Sequence, residues 1–286
     1  MKPAPFIYHR PSTTQEAVAM LSANPDDTSV LAGGQSLVPM MNFRVALPGH
    51  LVDINFLDEL DYIRADDGWL AIGARVRQSA LERSNLVARE APLLSEAIRW
   101  VAHPPIRHRG TVVGSIAHAD PAAELPAAVR ALDGEVVLRG AQGERRVAAA
   151  DFFDQPLMTT IAPGELITEI RVPAGQRPTG QAVIEFARRH ADFAVAGAAV
   201  SLWSNGTQRA AIALFGVGPT AIRAGAAERL LSESSGAPAA EVRAAAVSEL
   251  SPSGDIHGSA EYRRRLAGVC VERALARARQ ARNGGS

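Results

Sequence analysis

The chain has 286 residues, of which 47% are hydrophobic and 21% are charged, and its 30 basic residues balance its 30 acidic ones. This composition is typical of a globular protein, and the balanced charge argues against a nucleic-acid or anionic-membrane partner. The single cysteine, Cys270, excludes an internal disulfide, and it excludes an iron–sulfur cluster or thiolate zinc site built from this chain alone. The N-terminal residues lack the apolar core of a signal peptide, and the longest apolar run, residues 193–203, is too short to span a bilayer. We therefore expect a cytoplasmic protein.

The start of the chain predicts one helix followed by strands. Ser12 or Thr13 can cap the helix, because Glu16 stands at the capping-box spacing and an apolar stripe follows. Short apolar runs predict strands at residues 29–32, 50–54 and 69–74.

Helical periodicity returns across residues 86–101, with Pro92 in the first turn of a second helical segment. Residues 103–109 are predicted to form a loop, because two consecutive prolines interrupt a regular helix. Residues 121–132 are predicted to form a helix with Asp120 as its N-cap. Further strands are predicted at residues 135–138 and 166–172.

A Pro/Gly-rich stretch at residues 173–180 predicts a domain boundary, which we place between residues 1–176 and 177–286. Beyond it the apolar pattern predicts three strands and then three helices. The strands are at residues 182–186, 194–203 and 210–217, and the helices are at residues 222–231, 238–250 and 260–281. The dipeptide Asn205-Gly206 predicts a hairpin turn between the last two strands, because both residues tolerate positive φ.

Two short glycine-bearing segments are the most informative features of the chain. The first comprises Ala32, Gly33, Gly34, Gln35 and Ser36, and the second comprises Thr111, Val112, Val113, Gly114 and Ser115. Each is predicted to be a loop at the exit of a strand, where small residues let backbone N–H groups approach an anion closely. Either loop alone could be a simple strand turn. Together they suggest a ligand with two phosphates that is held from both sides.

Other kinds of site have little support in the sequence. The spacings of His103, His108 and His118 match no helical ligand pair, so we predict no metal site. Ser36 does not lie in a nucleophile elbow, and Cys270 lies on the apolar face of a predicted helix, where packing is the usual role. We predict no catalytic side chain, and no glycine fingerprint for a nicotinamide cofactor follows any strand.

Several segments, spread over nearly the whole chain, resemble the flavin-binding medium subunit of molybdenum hydroxylases, the family of carbon monoxide dehydrogenase and xanthine dehydrogenase. The similar segments are residues 6–11, 32–36, 51–54, 106–111, 118–124, 163–167, 192–194 and 259–263. The resemblance implies an α+β fold. A two-lobed FAD-binding domain of the PCMH type, with lobes at roughly residues 1–55 and 56–176, would precede a C-terminal domain with a three-stranded antiparallel sheet and a helical bundle.

The resemblance also implies roles for individual residues. The two glycine-bearing segments would hold the diphosphate of FAD, and Glu124 would be a polar ligand where relatives usually have Asp. Leu166 and Ile167 match a loop that approaches the cofactor, and Phe193 matches a position near the isoalloxazine. Three of these residues also have plain structural roles open to them: Asp120 as a helix cap as well as a ligand, Glu124 as a partner of the helix dipole, and Phe193 as a core residue.

Two residues depart from the family pattern. Relatives usually have Gly-Gly where this chain has Val113-Gly114, and a β-branched residue disfavours positive φ, so this loop must differ locally if the first glycine of relatives is left-handed. Glu185 stands near a position where relatives often carry Lys.

The resemblance implies an electron-transfer flavoprotein, in which the cofactor supplies the redox chemistry. If electrons arrive through [2Fe-2S] clusters, the single cysteine of this chain requires those clusters to lie on another polypeptide. The resemblance implies a small partner that carries the clusters and a large partner that carries molybdopterin, in a heterotrimer that is often doubled. Two alternatives stay open: a non-redox nucleotide-binding module, and a standalone FAD oxidoreductase.

Overall fold

The N-terminal end of the chain folds around a small parallel sheet. A computed structural model describes residues 1–175, 178–204 and 209–283. The first three strands are β1 (Ile7–His9), β2 (Thr28–Leu31) and β3 (His50–Asp53), in the order β1-β3-β2, and helices α1 (Thr14–Ala23) and α2 (Leu37–Asn42) connect them. The predicted capping box is confirmed. Thr13 accepts the Glu16 N–H at 3.1 Å, and the Glu16 carboxylate accepts the Ser12 N–H at 2.7 Å.

A five-stranded antiparallel sheet follows, and helices cover it. Its strands, in sheet order, are β4 (Ile63–Asp66), β5 (Trp69–Gly73), β10 (Leu166–Pro173), β6 (Glu135–Gly140) and β7 (Gly143–Ala148). A two-stranded hairpin, β8 (Phe153–Gln155) and β9 (Met158–Thr159), precedes β10. The accompanying helices are α3 (Gln78–Arg83), α4 (Asn85–Glu90), α5 (Pro92–Ala97), α6 (Pro104–Arg109), α7 (Val112–His118), α8 (Glu124–Ala131) and α9 (Ala149–Phe152), with a 3-10 turn at Asp58–Leu60.

The prediction of a loop over residues 103–109 is wrong, because Pro104–Arg109 is helical. Pro104 and Pro105 occupy the first two helical positions, where a backbone N–H has no partner in the helix and the fixed φ of proline suits the helix. Arg107 then fixes this short helix, because its guanidinium binds the Glu82 carboxylate at 3.0 and 3.2 Å and donates to two backbone carbonyls.

The C-terminal region is built on a third, antiparallel sheet. Its strands are β11 (Gly180–Phe186), β12 (Ala196–Trp203), β13 (Arg209–Phe215) and β14 (Ile222–Arg223), and three helices follow, α10 (Gly225–Glu233), α11 (Ala239–Val247) and α12 (Ala260–Asn283). The predicted three-stranded sheet therefore gains a fourth strand of two residues. Ile222 pairs with Leu214 instead of opening a helix, and α10 begins three residues later. The predicted Asn205-Gly206 turn and the predicted boundary at residues 176 and 177 lie outside the described residues.

The third sheet is buried on both faces. Alternate residues of one face, such as Val183 and Ala199, belong to the core formed by the N-terminal helices and sheets. Residues of the other face, such as Ala182 and Ala198, pack against the three C-terminal helices. Within the described ranges 1–175, 178–204 and 209–283, no helix is long and apolar enough to cross a membrane.

Candidate cofactor site

The first glycine-bearing segment is a turn at the exit of β2, as predicted, and it leads into the helix α2, which was not predicted. Gly34 has a φ of 71°, a left-handed conformation that favours glycine. In the part of the chain that the structure describes, the N–H groups of residues 33–36 donate to no protein acceptor. Four backbone donors are therefore available at the exit of this strand.

The second segment is built differently from the prediction. Thr111 is the N-cap of α7, and its hydroxyl accepts the Gly114 N–H at 3.0 Å. Residues 112–115 form the first turn of that helix, so the segment is a helix N-terminus and not a strand-exit loop. Val113 is buried in the N-terminal core and has no positive φ, which is why a β-branched residue is accepted there. The Val112, Gly114 and Ser115 N–H groups donate to protein oxygens, so this segment offers an anion chiefly the partial positive charge of a helix N-terminus.

The two segments are in direct contact. A Cβ at Gly33 would lie 2.6 Å from the Arg109 carbonyl oxygen, 2.6 Å from the Gly110 Cα and 2.9 Å from the Thr111 nitrogen. Any side chain at residue 33 would push the segments apart. The structure therefore brings the free N–H groups of residues 33–36 next to the N-terminus of α7, almost eighty residues away in the sequence.

Two side chains that the sequence analysis missed connect these segments. The Asn55 amide donates to the Ala32 carbonyl at 2.8 Å. The Arg77 guanidinium donates to the Asn55 side-chain oxygen at 2.6 Å and to the Arg109 carbonyl. Burial lowers the pKa of Arg77, and the charge of Arg109 lowers it further. No local sequence signal marks this network, because its members lie 22 and 32 residues apart and each is an ordinary polar residue.

Asp120 and Glu124 lie at the start of α8, but their roles differ from the prediction. Asp120 is not the N-cap of α8, because the helix begins at Glu124 and Ala123 is its cap. Instead the Asp120 carboxylate accepts the Ala122 N–H at 2.8 Å and shapes the turn before the helix. Glu124 is only 8% exposed, and its carboxyl group contacts that of Glu185 on β11. Burial raises the pKa of Glu124 to about 7.

Of the other predicted cofactor contacts, Leu166 and Ile167 are buried in the core and Phe193 is exposed. Leu166 and Ile167 do not lie in a loop. They open β10, their side chains are buried in the N-terminal core, and their backbone pairs with Arg139 and Leu138 of β6. Phe193 is 74% exposed, so the core interpretation of this residue is wrong.

The ring of Phe193 lies at a cavity of about 770 Å³ formed by the turn before α8 and the C-terminal region. Its lining includes Asp120, Pro121, Arg188, Phe193, His257 and Arg263. Arg263 is buried in the wall and donates to the Val195 and Gly216 carbonyls, each at 2.7 Å. It also donates to Asp255 at 2.6 Å, and this hydrogen bond lowers the pKa of Asp255 to about 2. An aromatic ring and polar groups thus line a space that is large enough for a cofactor ring or a small substrate.

The donor set fits an anionic diphosphate. Four free N–H groups and a helix N-terminus lie beside Arg77 and Arg109, and the close approach at Gly33 keeps side chains out of the space between them. The described residues around this point supply neutral or cationic donors and no nucleophile paired with a base. The arrangement can therefore bind a dinucleotide, while redox chemistry has to come from the bound group.

Comparison with known proteins gives the family. The model of the FAD binding domain in molybdopterin dehydrogenase matches residues 4–175. The model of the CO dehydrogenase flavoprotein C-terminal domain matches residues 181–278. The chain therefore belongs to the FAD-binding medium subunits of the molybdenum hydroxylases, and it is an oxidoreductase subunit.

Full-length relatives agree with these matches. The 6-hydroxypseudooxynicotine dehydrogenase complex subunit alpha of Paenarthrobacter nicotinovorans is 44% identical, covering 97% of this chain and 96% of the relative. The carbon monoxide dehydrogenase of Hydrogenophaga pseudoflava has a solved chain that is 41% identical, with a TM-score of 0.93 and coverage of 98% of this chain and 99% of that one. The quinoline 2-oxidoreductase of Pseudomonas putida 86 is 34% identical, with a TM-score of 0.92 and coverage of 99% of both chains. The predicted α+β flavoprotein fold is confirmed by these likenesses.

Proposed function

We propose that residues 32–36 and 111–115 together bind the diphosphate of FAD, and that Asp120, Glu124 and Phe193 lie along the rest of the cofactor. The contact of Gly33 with Gly110 and Thr111 carries this proposal, because the free N–H groups of residues 33–36 lie there beside the positive end of α7. When bound, FAD supplies the redox chemistry, and this chain orients it and excludes competing contacts.

The proposed assembly has three kinds of subunit. A large molybdopterin subunit oxidises the substrate, and a small subunit with [2Fe-2S] clusters passes electrons to this chain, which delivers them to an external acceptor. The single cysteine supports the placement of the clusters on another polypeptide. The relatives are named as a complex subunit, a medium chain and a medium subunit of dehydrogenases or hydroxylases. This supports an assembly of several subunits over a standalone oxidoreductase or a non-redox nucleotide-binding module. The predicted cytoplasmic location and the predicted division at residues 176 and 177 remain predictions.

Replacement of Gly33 tests the diphosphate site. We expect Gly33→Ala to weaken FAD binding by at least about tenfold, equivalent to roughly 1.4 kcal/mol, because the new Cβ overlaps the backbone of residues 109–111. Titration of the flavin-free chain with FAD measures this affinity, and the visible spectrum of the purified chain reports retained flavin.

The matched control is Gly236→Ala. A Cβ at Gly236 meets nothing within 4 Å, and its φ is not positive, so FAD binding and thermal stability should stay at the wild-type level. Wild-type FAD affinity in a folded Gly33→Ala chain would refute the proposed site. A wild-type chain that stays colourless with excess FAD would refute the proposed function.

A further inference from the structure

Two carboxyl groups meet where the N-terminal region packs on the third sheet. Glu124 opens α8, which packs against β12 and β13, and Glu185 lies on the neighbouring β11. The two carboxyl groups are close enough to affect each other's pKa, and burial is the largest cause of the shift in each. Glu185 pairs with Gly197, which pairs with Phe215, so these three residues share the sheet face that belongs to the N-terminal core. The fully buried ring of Phe215 fills the place of a side chain at Gly197, and Glu185 therefore stands beside an apolar surface.

No described cation neutralises this pair. Neither carboxyl group takes part in a salt bridge within residues 1–175, 178–204 and 209–283. The Glu185 Oε2 atom is buried without a hydrogen-bond partner in the same residues. Asp120, from the turn before α8, adds a further negative charge near Glu124.

The other elements packed on β11 do not supply the missing charge. On α12, the charge of Glu185 raises the pKa of the Cys270 thiol, and the charge of Arg273 lowers it. On α5, Glu96 forms an ion pair with Arg277 of α12 at 3.2 Å. The other cations nearby, Arg99 and Arg273, act on the pKa values of Glu96 and Cys270, and neither forms a salt bridge with Glu185 among the described residues.

Two ionised carboxylates can only accept hydrogen bonds, so a hydrogen bond between them requires a proton on one of the two. Burial away from water also disfavours the charged form of each group. We propose that Glu124 and Glu185 share one proton, and that Glu185 is a positioning residue whose protonated carboxyl group holds Glu124 and the first turn of α8 at the cofactor site. The part of this proposal that concerns the cofactor depends on the proposed function.

The direction of the pKa shifts agrees with a shared proton. Burial, and then the charge of Glu124, raises the pKa of Glu185 to about 9, while burial raises the pKa of Glu124 to about 7. Both groups have an ordinary value of 4.5, so the folded chain binds more protons than the unfolded chain between about pH 4.5 and pH 9. The stabilisation is fully present below pH 4.5, and it is lost as the pH rises through 7 and 9.

Infrared difference spectroscopy tests the shared proton without any flavin. The full chain, purified free of FAD, should show the carbonyl stretch of a protonated carboxylic acid at neutral pH, and the band should disappear at about pH 10. Glu185→Gln should remove the band, whereas the control Glu96→Gln should leave it unchanged. Absence of the band from the wild-type chain, or its survival in both Glu185→Gln and Glu124→Gln, would overturn the proposal.

Retention of FAD against pH tests the positioning role. Wild-type affinity for FAD should fall by about tenfold between pH 7 and about pH 10, as the pair separates. Glu185→Gln replaces the titrating carboxyl group by a neutral amide that can donate to Glu124 at every pH, so its affinity should be nearly constant over this range. Glu96→Gln should behave as the wild-type chain does. An equal pH response in wild type and Glu185→Gln would overturn the positioning role. That result would not affect the proposed diphosphate site, which the Gly33→Ala titration tests separately.

Discussion

The two glycine-bearing segments meet at the same place, but they reach it with different backbone conformations. Residues 32–36 do so through a turn that needs the left-handed conformation of Gly34. Residues 111–115 do so through the first turn of α7, which Thr111 caps, and there a valine is accepted where a glycine was expected. The comparison teaches that a shared pattern of small residues can mark a shared task without marking a shared backbone conformation.

Replacement of Arg77 should give the largest effect after that of Gly33→Ala, because Arg77 joins the two segments. Arg77→Met leaves the Arg109 carbonyl and the Asn55 side-chain oxygen without their donor, so we expect a loss of about 2 kcal/mol in the free energy of unfolding. FAD affinity should fall by about tenfold as well. Chemical denaturation and FAD titration measure the two quantities.

Arg75→Met is the matched control, because it removes the same charge two residues away. Arg75 pairs with Asp58 and Asp61 and is not part of the Arg77–Asn55 network. Equal losses of FAD affinity in the two variants would show that charge alone, and not the connection between the segments, is responsible.

Gly34→Ala tests the first segment by itself. An alanine at a φ of 71° should cost about 1 to 2 kcal/mol of stability, and it should weaken FAD binding because the turn must relax. Gly34→Asn has the same Cβ but tolerates the left-handed conformation better, so it should be the milder variant in thermal unfolding and FAD titration. If asparagine is as damaging as alanine, the packing of the Cβ against Val38 and Leu31 is the cause, and not the backbone conformation.

Thr111→Val tests the second segment and should have the smallest effect. Loss of the capping hydroxyl should destabilise the chain by about 1 kcal/mol and loosen the N-terminus of α7. The same change at Thr13 removes the cap of α1, and only Thr111→Val should also reduce FAD affinity, as flavin titration of both variants would show. A similar reduction in Thr13→Val would remove the link between this cap and the cofactor.

Much of the fold could be predicted because its strands are short apolar runs bounded by turn residues. This holds for β2, β3, β5 and β10, and for the long strands of the third sheet. The six- and seven-residue helices α6 and α7 were missed because they are too short to show periodicity, and because proline at a helix start is also typical of a loop. The strand β14 was missed because two residues carry no pattern of their own.

The sequence predicted that the two glycine-bearing segments act together, and the structure brings them into contact, but their backbone conformations were predicted only in part. Small residues marked both segments, since close backbone approach requires them, and the resemblance added Glu124 and Phe193. Asn55 and Arg77 could not be found, because their role depends on tertiary contacts between residues that are far apart in the sequence. The contact of Glu124 with Glu185 depends equally on how the third sheet docks against α8.

The third sheet contributes one face to the hydrophobic core of each half of the chain. Val183, Ala199 and Phe215 complete the interior of the first half, while the reverse side of the same strands completes the second. If residues 181–278 were produced alone, the sheet face that carries Val183, Ala199 and Phe215 would be exposed to solvent. The N-terminal half produced alone would lack these residues of its core. Although two family models divide the chain, both halves use this one sheet to complete their interiors.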